Sequence, residues 1–275
     1  MGKIYESVGR CIYCGEQPDS DEHIIPIGLK GDLVLPDSSC APCREITRDI
    51  ETFVLRGMLG DIRQKWGIRS KRHKKEKLKP PRIGRRIEGG VSIEHVDLDD
   101  YPEVLIMPTF QAPGYLAGNA PRLDIPHGRF WMHAETSAAE KLKRHGKDAM
   151  AIQNYSPDKF CRFIAKMAHG YAAAEFGIES FSPWLTELIK GTDTRFSYLV
   201  GASPRKAHNP PPDSRIELGH ALILEVYQFP GSNPFVAVHV FLFGTLGAPG
   251  YMAIVGEPHG ELLKRFPDGA SILES

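Results

Sequence analysis

The stretch Cys11–Glu51, CIYCGEQPDSDEHIIPIGLKGDLVLPDSSCAPCREITRDIE, carries two CxxC pairs, Cys11/Cys14 and Cys40/Cys43, with one histidine, His23, framed between them. In a reducing compartment two such pairs read as four thiolates on one tetrahedral zinc rather than as disulfides. The intervening segments GEQPDSDE and KGDLVLPDSS are turn-rich and offer little apolar surface, so the metal is expected to hold residues 11–43 together. Four cysteine ligands leave no open coordination position, and any reaction must come from elsewhere in the frame.

DEHIIP is the part with chemical content. Glu22 supplies a carboxylate suited to a hard divalent cation, and His23 an imidazole able to take a proton from water near neutral pH. Hydrolysis of a phosphodiester needs both capacities, since charge on the phosphate must be stabilised and the attacking water activated. After Cys43, Ile46, Ile50, Phe53, Val54 and Ile62 recur at mostly three- and four-residue spacings, which predicts a helix beginning near Cys40 with Ser39 as its cap and Pro42 in its first turn. Gly57 and Gly60 weaken its far end.

These three parts together, the first CxxC, Glu22-His23-Ile24-Ile25-Pro26, and a second CxxC opening a helix, resemble the HNH endonucleases of the double-CxxC, ββα-metal branch over roughly residues 9–66. The resemblance implies a metal-dependent nuclease that cuts DNA, with His23 as general base, Glu22 as a ligand of a catalytic Mg²⁺ or Mn²⁺, and a structural Zn²⁺ on Cys11, Cys14, Cys40 and Cys43. Members of that family usually carry Asn or His shortly after the last cysteine as a further ligand, whereas this chain has Arg44, a donor-only group that cannot ligate a cation. Glu51, on one edge of the helix with Thr47, is the expected substitute; its alternative is a solvated carboxylate paired with Arg48. Asp37 either orients His23 or caps a turn.

Charge divides the chain unevenly although it sums to zero. Residues 1–61 hold 6 Lys/Arg against 11 Asp/Glu, residues 62–86 hold 12 against 1, and the remainder 16 against 22. The basic block, with Lys71, Arg72, Lys74 and Lys75 at its centre and Trp66 its only Trp, Tyr or Phe, suits phosphate contacts to a duplex, together with Arg44 and Arg48. The same block can also be a solvated tether. No basic-then-apolar leader and no apolar run long enough for a bilayer is visible, so a cytoplasmic location without membrane contact is expected.

The reading divides the chain into a zinc-knuckle domain at 1–65, a basic linker at 66–88 and a domain at 89–275. Pro80 and Pro81, within the basic segment, mark the boundary of the first domain; in the last domain SPDKFCRFIAKMAHGYAAAEFG predicts a helix over 157–176 opened by a Ser-Pro cap, and HALILEVYQF, PFVAVHVFLFG and GYMAIVG predict an antiparallel sheet. The fold class is α+β throughout. His239 is expected inside that sheet and His169 in helix packing, while Cys161 reads as a small buried hydrophobe.

Two other functions compete with the nuclease: a catalytically silent zinc module that binds nucleic acid, with Arg44 on phosphate, and a protein whose main role belongs to a C-terminal domain that senses a ligand or partner. A single HNH head nicks one strand, so a double-strand cut would favour a homodimer.

Overall fold

The computed structural model describes residues 3–68, 80–121, 129–205, 218–229 and 232–265. It is a mixed helix-and-sheet fold whose strand ladders are all antiparallel among the described residues. The N-terminal part opens with a hairpin of β1 (Ser20–His23) and β2 (Val34–Ser39), in the register Glu22 to Leu35 and His23 to Val34, with a bulge between Ser20 and Glu22. Its loop makes a short 3₁₀ turn at Ile27–Leu29 and then passes so close to itself that a Cβ on Gly31 would lie 2.0 Å from the carbonyl oxygen of Ile25. Only glycine fits there.

Helix α1 (Ala41–Thr52) follows β2 directly. Its N-cap is Cys40, not Ser39, which stays in β2 with its side chain buried, and Pro42 sits in the first turn where no intrahelical donor is lost. The apolar stripe then continues through a π-helical turn at Phe53–Met58, closed by Leu59 N–H donating to Val54 O, into α2 (Gly60–Lys65). The wider turn absorbs the two weak positions Gly57 and Gly60 without ending the run.

Three sheets follow. β3 (Arg82–Ile87) lies within the stretch read from sequence as a tether; it pairs with β4 (Gly90–His95) on one side and β7 (Ala149–Ala151) on the other. Two of its three arginines are engaged, Arg82 with Asp61 and Arg85 with Glu94, which helps a basic segment form a strand here. β5 (Val104–Thr109) and β6 (Arg129–Ala134) form a two-stranded sheet, after which the short helix α3 (Ala138–Arg144) leads to β7. The largest sheet runs β10 (Ala221–Tyr227), β11 (Phe235–Phe241), β12 (Gly250–Pro258), with the short strands β8 (Phe181–Pro183) and β9 (Val200–Ala202) both on the free side of β12.

Helix α4 (Pro157–Phe176) joins these parts. The Ser156 side chain accepts from Lys159 N–H, Pro157 occupies the first turn, and Gly177 at φ 78° ends the helix. One side of α4 meets the large sheet, where Phe160 packs edge-on against Tyr251 of β12. Another meets the hairpin and α1, where Gly170 lets β1 approach so that its absent Cβ would touch Ile24 and Glu22. A continuous hydrophobic core consequently runs from Tyr5 through Ile50 and Phe160 to Leu262, with Cys161 fully buried in it. His239 on β11 is also fully buried, hydrogen-bonded to Ser203 Oγ (2.8 Å), Tyr227 OH (2.7 Å) and Glu225 Oε2 (3.0 Å). No described helix is long and apolar enough to cross a membrane.

Candidate functional site

The four cysteines meet as their spacing requires. Their Sγ atoms all lie within 4.8 Å of one another, with Cys14 and Cys40 at 3.5 Å, Cys14 exposed and the other three buried. Backbone bonds shape the first turn, where Gly15 N–H donates to Cys11 O and Cys11 N–H to Glu16 O, while Ile12 N–H donates to Ser38 O and ties that turn to the end of β2. In a tetrahedral thiolate site with metal–sulfur bonds of about 2.3 Å, neighbouring sulfurs stand about 3.8 Å apart, so this cluster can hold a metal ion such as zinc. Burial, and then the adjoining thiols, push Cys43 well above its ordinary value, which a bound cation would reverse.

The second group of residues gathers where the hairpin, α1 and α4 meet. Glu22 on β1 is 5% exposed, His23 beside it is half-buried, and Glu51 lies in the last turn of α1 with its side chain 26% exposed. The chain brings the two glutamates together, and between them stands the ammonium of Lys166 from α4, with its side chain wholly buried. Lys166 Nζ lies 2.5 Å from Glu22 Oε1, 2.6 Å from Glu51 Oε1 and 2.5 Å from the carbonyl oxygen of His23. An ammonium has three N–H donors, and here each has an oxygen.

Burial is the largest influence on both partners. It lifts Glu22 above its ordinary carboxyl value, with Lys166 pulling the other way. It also opposes the charge on Lys166, but Glu22 and Glu51 outweigh it and hold that group above an ordinary ammonium. Lys166 accordingly stays charged within the cluster. Tyr13, buried nearby, keeps its proton because of burial and then the charge of Glu22 and Glu51.

Residues around the cluster fix the approach of α4. One turn after Lys166, the fully buried His169 donates from Nε2 to Ile12 O (2.7 Å) and lies against the ring of Tyr13, so α4 touches both the first cysteine turn and the glutamates. Burial brings His169 down to about 4, with Ile12 O opposing, and the ring is neutral at pH 7. On the opposite side of the hairpin loop Arg63 of α2 is buried, donating from Nε to Gly28 O and from Nη1 to Leu55 O (2.6 Å each). That arginine staples the loop after His23 to the π-helical turn.

Other expected residues take different places. Arg44 faces Asp19 at 2.5 Å, and Arg48 pairs with Glu45 rather than Glu51; all four are substantially exposed. Asp37 is exposed at φ 43°, its N–H donating to Asp21 Oδ1. Lys71, Arg72, Lys74 and Lys75 lie outside the described residues. Among the described residues, the cysteine quartet is the one group of three or more His, Cys, Asp or Glu close enough to enclose a metal ion. The donors between Glu22 and Glu51 are hard oxygens of the right kind for Mg²⁺ or Mn²⁺, but the space they define does not fit a divalent ion while Lys166 fills it.

Sequence reasoning missed Lys166, His169 as a partner of Ile12, and Arg63. For Lys166 a signal was present: it is a charged residue at the centre of the apolar run FCRFIAKMAHGYAAA. A buried lysine demands a buried anion.

No family model matches the chain, and no curated protein or solved structure matches it either.

Proposed function

We propose that the chain is an HNH-type endonuclease that hydrolyses phosphodiester bonds in DNA, pinned by zinc on Cys11, Cys14, Cys40 and Cys43, with His23 as general base and Glu22 and Glu51 as its acidic residues. One observation carries this reading. A β-hairpin followed directly by a helix, opened by the second cysteine pair, sets Glu22 and Glu51 around a single cation next to His23. In the proposed reaction His23 removes a proton from water, the water oxygen bonds to phosphorus as the P–O ester bond breaks, and the departing ester oxygen takes a proton from solvent. His23 is half-buried and within the strand that the ammonium of Lys166 grips through its carbonyl, so the backbone that presents it is held from behind. Because an ammonium fills the space between the glutamates, the reading places no divalent ion there; a requirement for Mg²⁺ or Mn²⁺ would be met at the oxygen of Glu51 that Lys166 leaves, Oε2.

A second reading is favoured by the same ammonium and by Arg44: a zinc-pinned module that binds nucleic acid without cutting it. Lys166 already occupies the space between the acidic pair, and Arg44 sits at the exposed start of α1 in reach of a phosphate.

A plasmid-nicking assay on zinc-loaded protein with Mg²⁺ or Mn²⁺, run beside His23→Ala, separates the two. Nicking that disappears in the variant supports the nuclease. Folded, DNA-binding wild type that leaves the plasmid supercoiled under every ion supports the binding module, and equal activity in both proteins would remove His23 from the reaction.

A further inference from the structure

We infer that Lys166 is a positioning residue that supplies the cation between Glu22 and Glu51, so that this space takes an ammonium and excludes the divalent ion that an acidic pair on a hairpin and helix would otherwise collect. The inference rests on reading Glu22, His23 and Glu51 as one site, but its test measures ions and not cleavage.

Three observations carry it. The first is stoichiometric: three oxygens converge on Nζ at 2.5–2.6 Å and an ammonium has three protons to give, so no donor of the ammonium is left over. The second is access. The Lys166 side chain has no exposed surface and α4 is packed against both α1 and the large sheet, so an incoming ion would have to eject the ammonium with no open space to receive it. The third is charge. With all groups ionised the trio carries one net negative charge, and without the ammonium it carries two in a place that is nearly closed to water, which only a cation or a proton can relieve. A tethered ammonium also arrives at its site with α4 and needs no ion from solution.

Lys166 thereby aligns both carboxylates with the strand bearing His23, and does so across the junction between the zinc frame and the C-terminal sheet. It acts through Glu22, Glu51 and the His23 carbonyl and need not touch a substrate.

The test is a Mn²⁺ titration of the zinc-loaded full chain, followed by the electron paramagnetic resonance signal of free Mn²⁺. Wild type and Glu22→Gln are expected to bind Mn²⁺ alike within about twofold, because the inner carboxylate sees only the ammonium. Lys166→Met is expected to gain one Mn²⁺ at least tenfold tighter than any ion on wild type; Lys166→Met/Glu22→Gln loses that ion again, and Lys166→Arg behaves as wild type. Wild-type binding that weakens tenfold on Glu22→Gln would show the divalent ion displacing the lysine and overturn the inference, as would a folded, zinc-containing Lys166→Met that gains no ion. Should Lys166→Met fail to fold, the comparison of wild type with Glu22→Gln still decides. A protein that does not nick but shows the expected ion pattern keeps the inference without the nuclease, and one that nicks with Glu22-dependent Mn²⁺ binding keeps the nuclease without the inference.

Discussion

Replacing Lys166 by methionine removes a charge and keeps nearly the same length of side chain, so the loss falls on electrostatics rather than on packing. The structure sets the size of the effect. Glu22 and Lys166 have 6% and 0% of their side chains exposed, so solvent screens their pair little, whereas Glu51 at 26% retains some hydration. Breaking a buried pair by removing one partner leaves an uncompensated charge and destabilises by about 3–5 kcal/mol. Removing both charges in Lys166→Met/Glu22→Gln is expected to return most of that, to within about 1–2 kcal/mol of wild type, since two neutral groups need no ionic partner. The pH dependence has a definite sign. Without the ammonium, burial and then the charge of Glu51 raise the folded-state value of Glu22 further, with only Tyr13 opposing, so the folded variant holds a proton that the unfolded chain releases above about pH 4.5. The variant therefore loses stability as pH rises from that value and regains it toward acid. Urea denaturation at fixed zinc and several pH values, read by far-ultraviolet circular dichroism, measures all of this. A single variant that unfolds within about 1 kcal/mol of wild type at pH 7 would refute the buried ion pair as drawn, and a destabilisation independent of pH would refute the role given to Glu22.

Chelating the metal, or Cys40→Ser, is expected to release one zinc per chain and lower the melting temperature markedly, because ion binding and folding of residues 11–43 are one event; zinc analysis with calorimetry checks it, and loss of the ion without a thermal shift would contradict it. His169 sits at about 4 in the fold against an ordinary 6.5, a depressed base whose contribution is present above pH 6.5 and lost as pH falls toward 4, by up to roughly 3 kcal/mol. His169→Gln should flatten that acid limb in pH-dependent unfolding, and an unchanged limb would move the titration elsewhere. Arg44→Ala breaks only an exposed pair with Asp19 and should shift stability by less than about 1 kcal/mol, while lowering by about one the slope of DNA affinity against salt in a fluorescence-anisotropy titration. Gly31→Ala forces backbone apart at Ile25 and should destabilise by more than about 1 kcal/mol in the same urea assay.

What could be read from sequence was whatever is signalled locally. The Ser156-Pro157 start and Gly177 end of α4 lie beside the residues they punctuate, and the β-branched and aromatic run in ALILEVY and FVAVHVF is a property of each strand alone. The cysteine spacing is likewise local geometry, and so is the placing of Glu51 on the same side of α1 as the core. Lys166 was not legible as a site residue, because its partners stand 115 and 143 or more positions away and nothing in its neighbourhood names them. β3 was obscured for a related reason: Arg82 and Arg85 read as solvated charge until Asp61 and Glu94 are placed opposite them. Glu51 was predicted to face a metal ion and faces an ammonium; sequence marked the need for a positive charge there but not its source.

Helix α4 is shared by two structures that differ in how they respond to a change of length. An insertion of one residue after Phe160 would turn everything beyond it by about 100° and advance it by about 1.5 Å. Phe160 would stay on Tyr251 while Lys166, His169 and Gly170 would swing away from the hairpin together. The ruler between the large sheet and the two glutamates is thus counted in residues of a single helix, from Phe160 to Gly170.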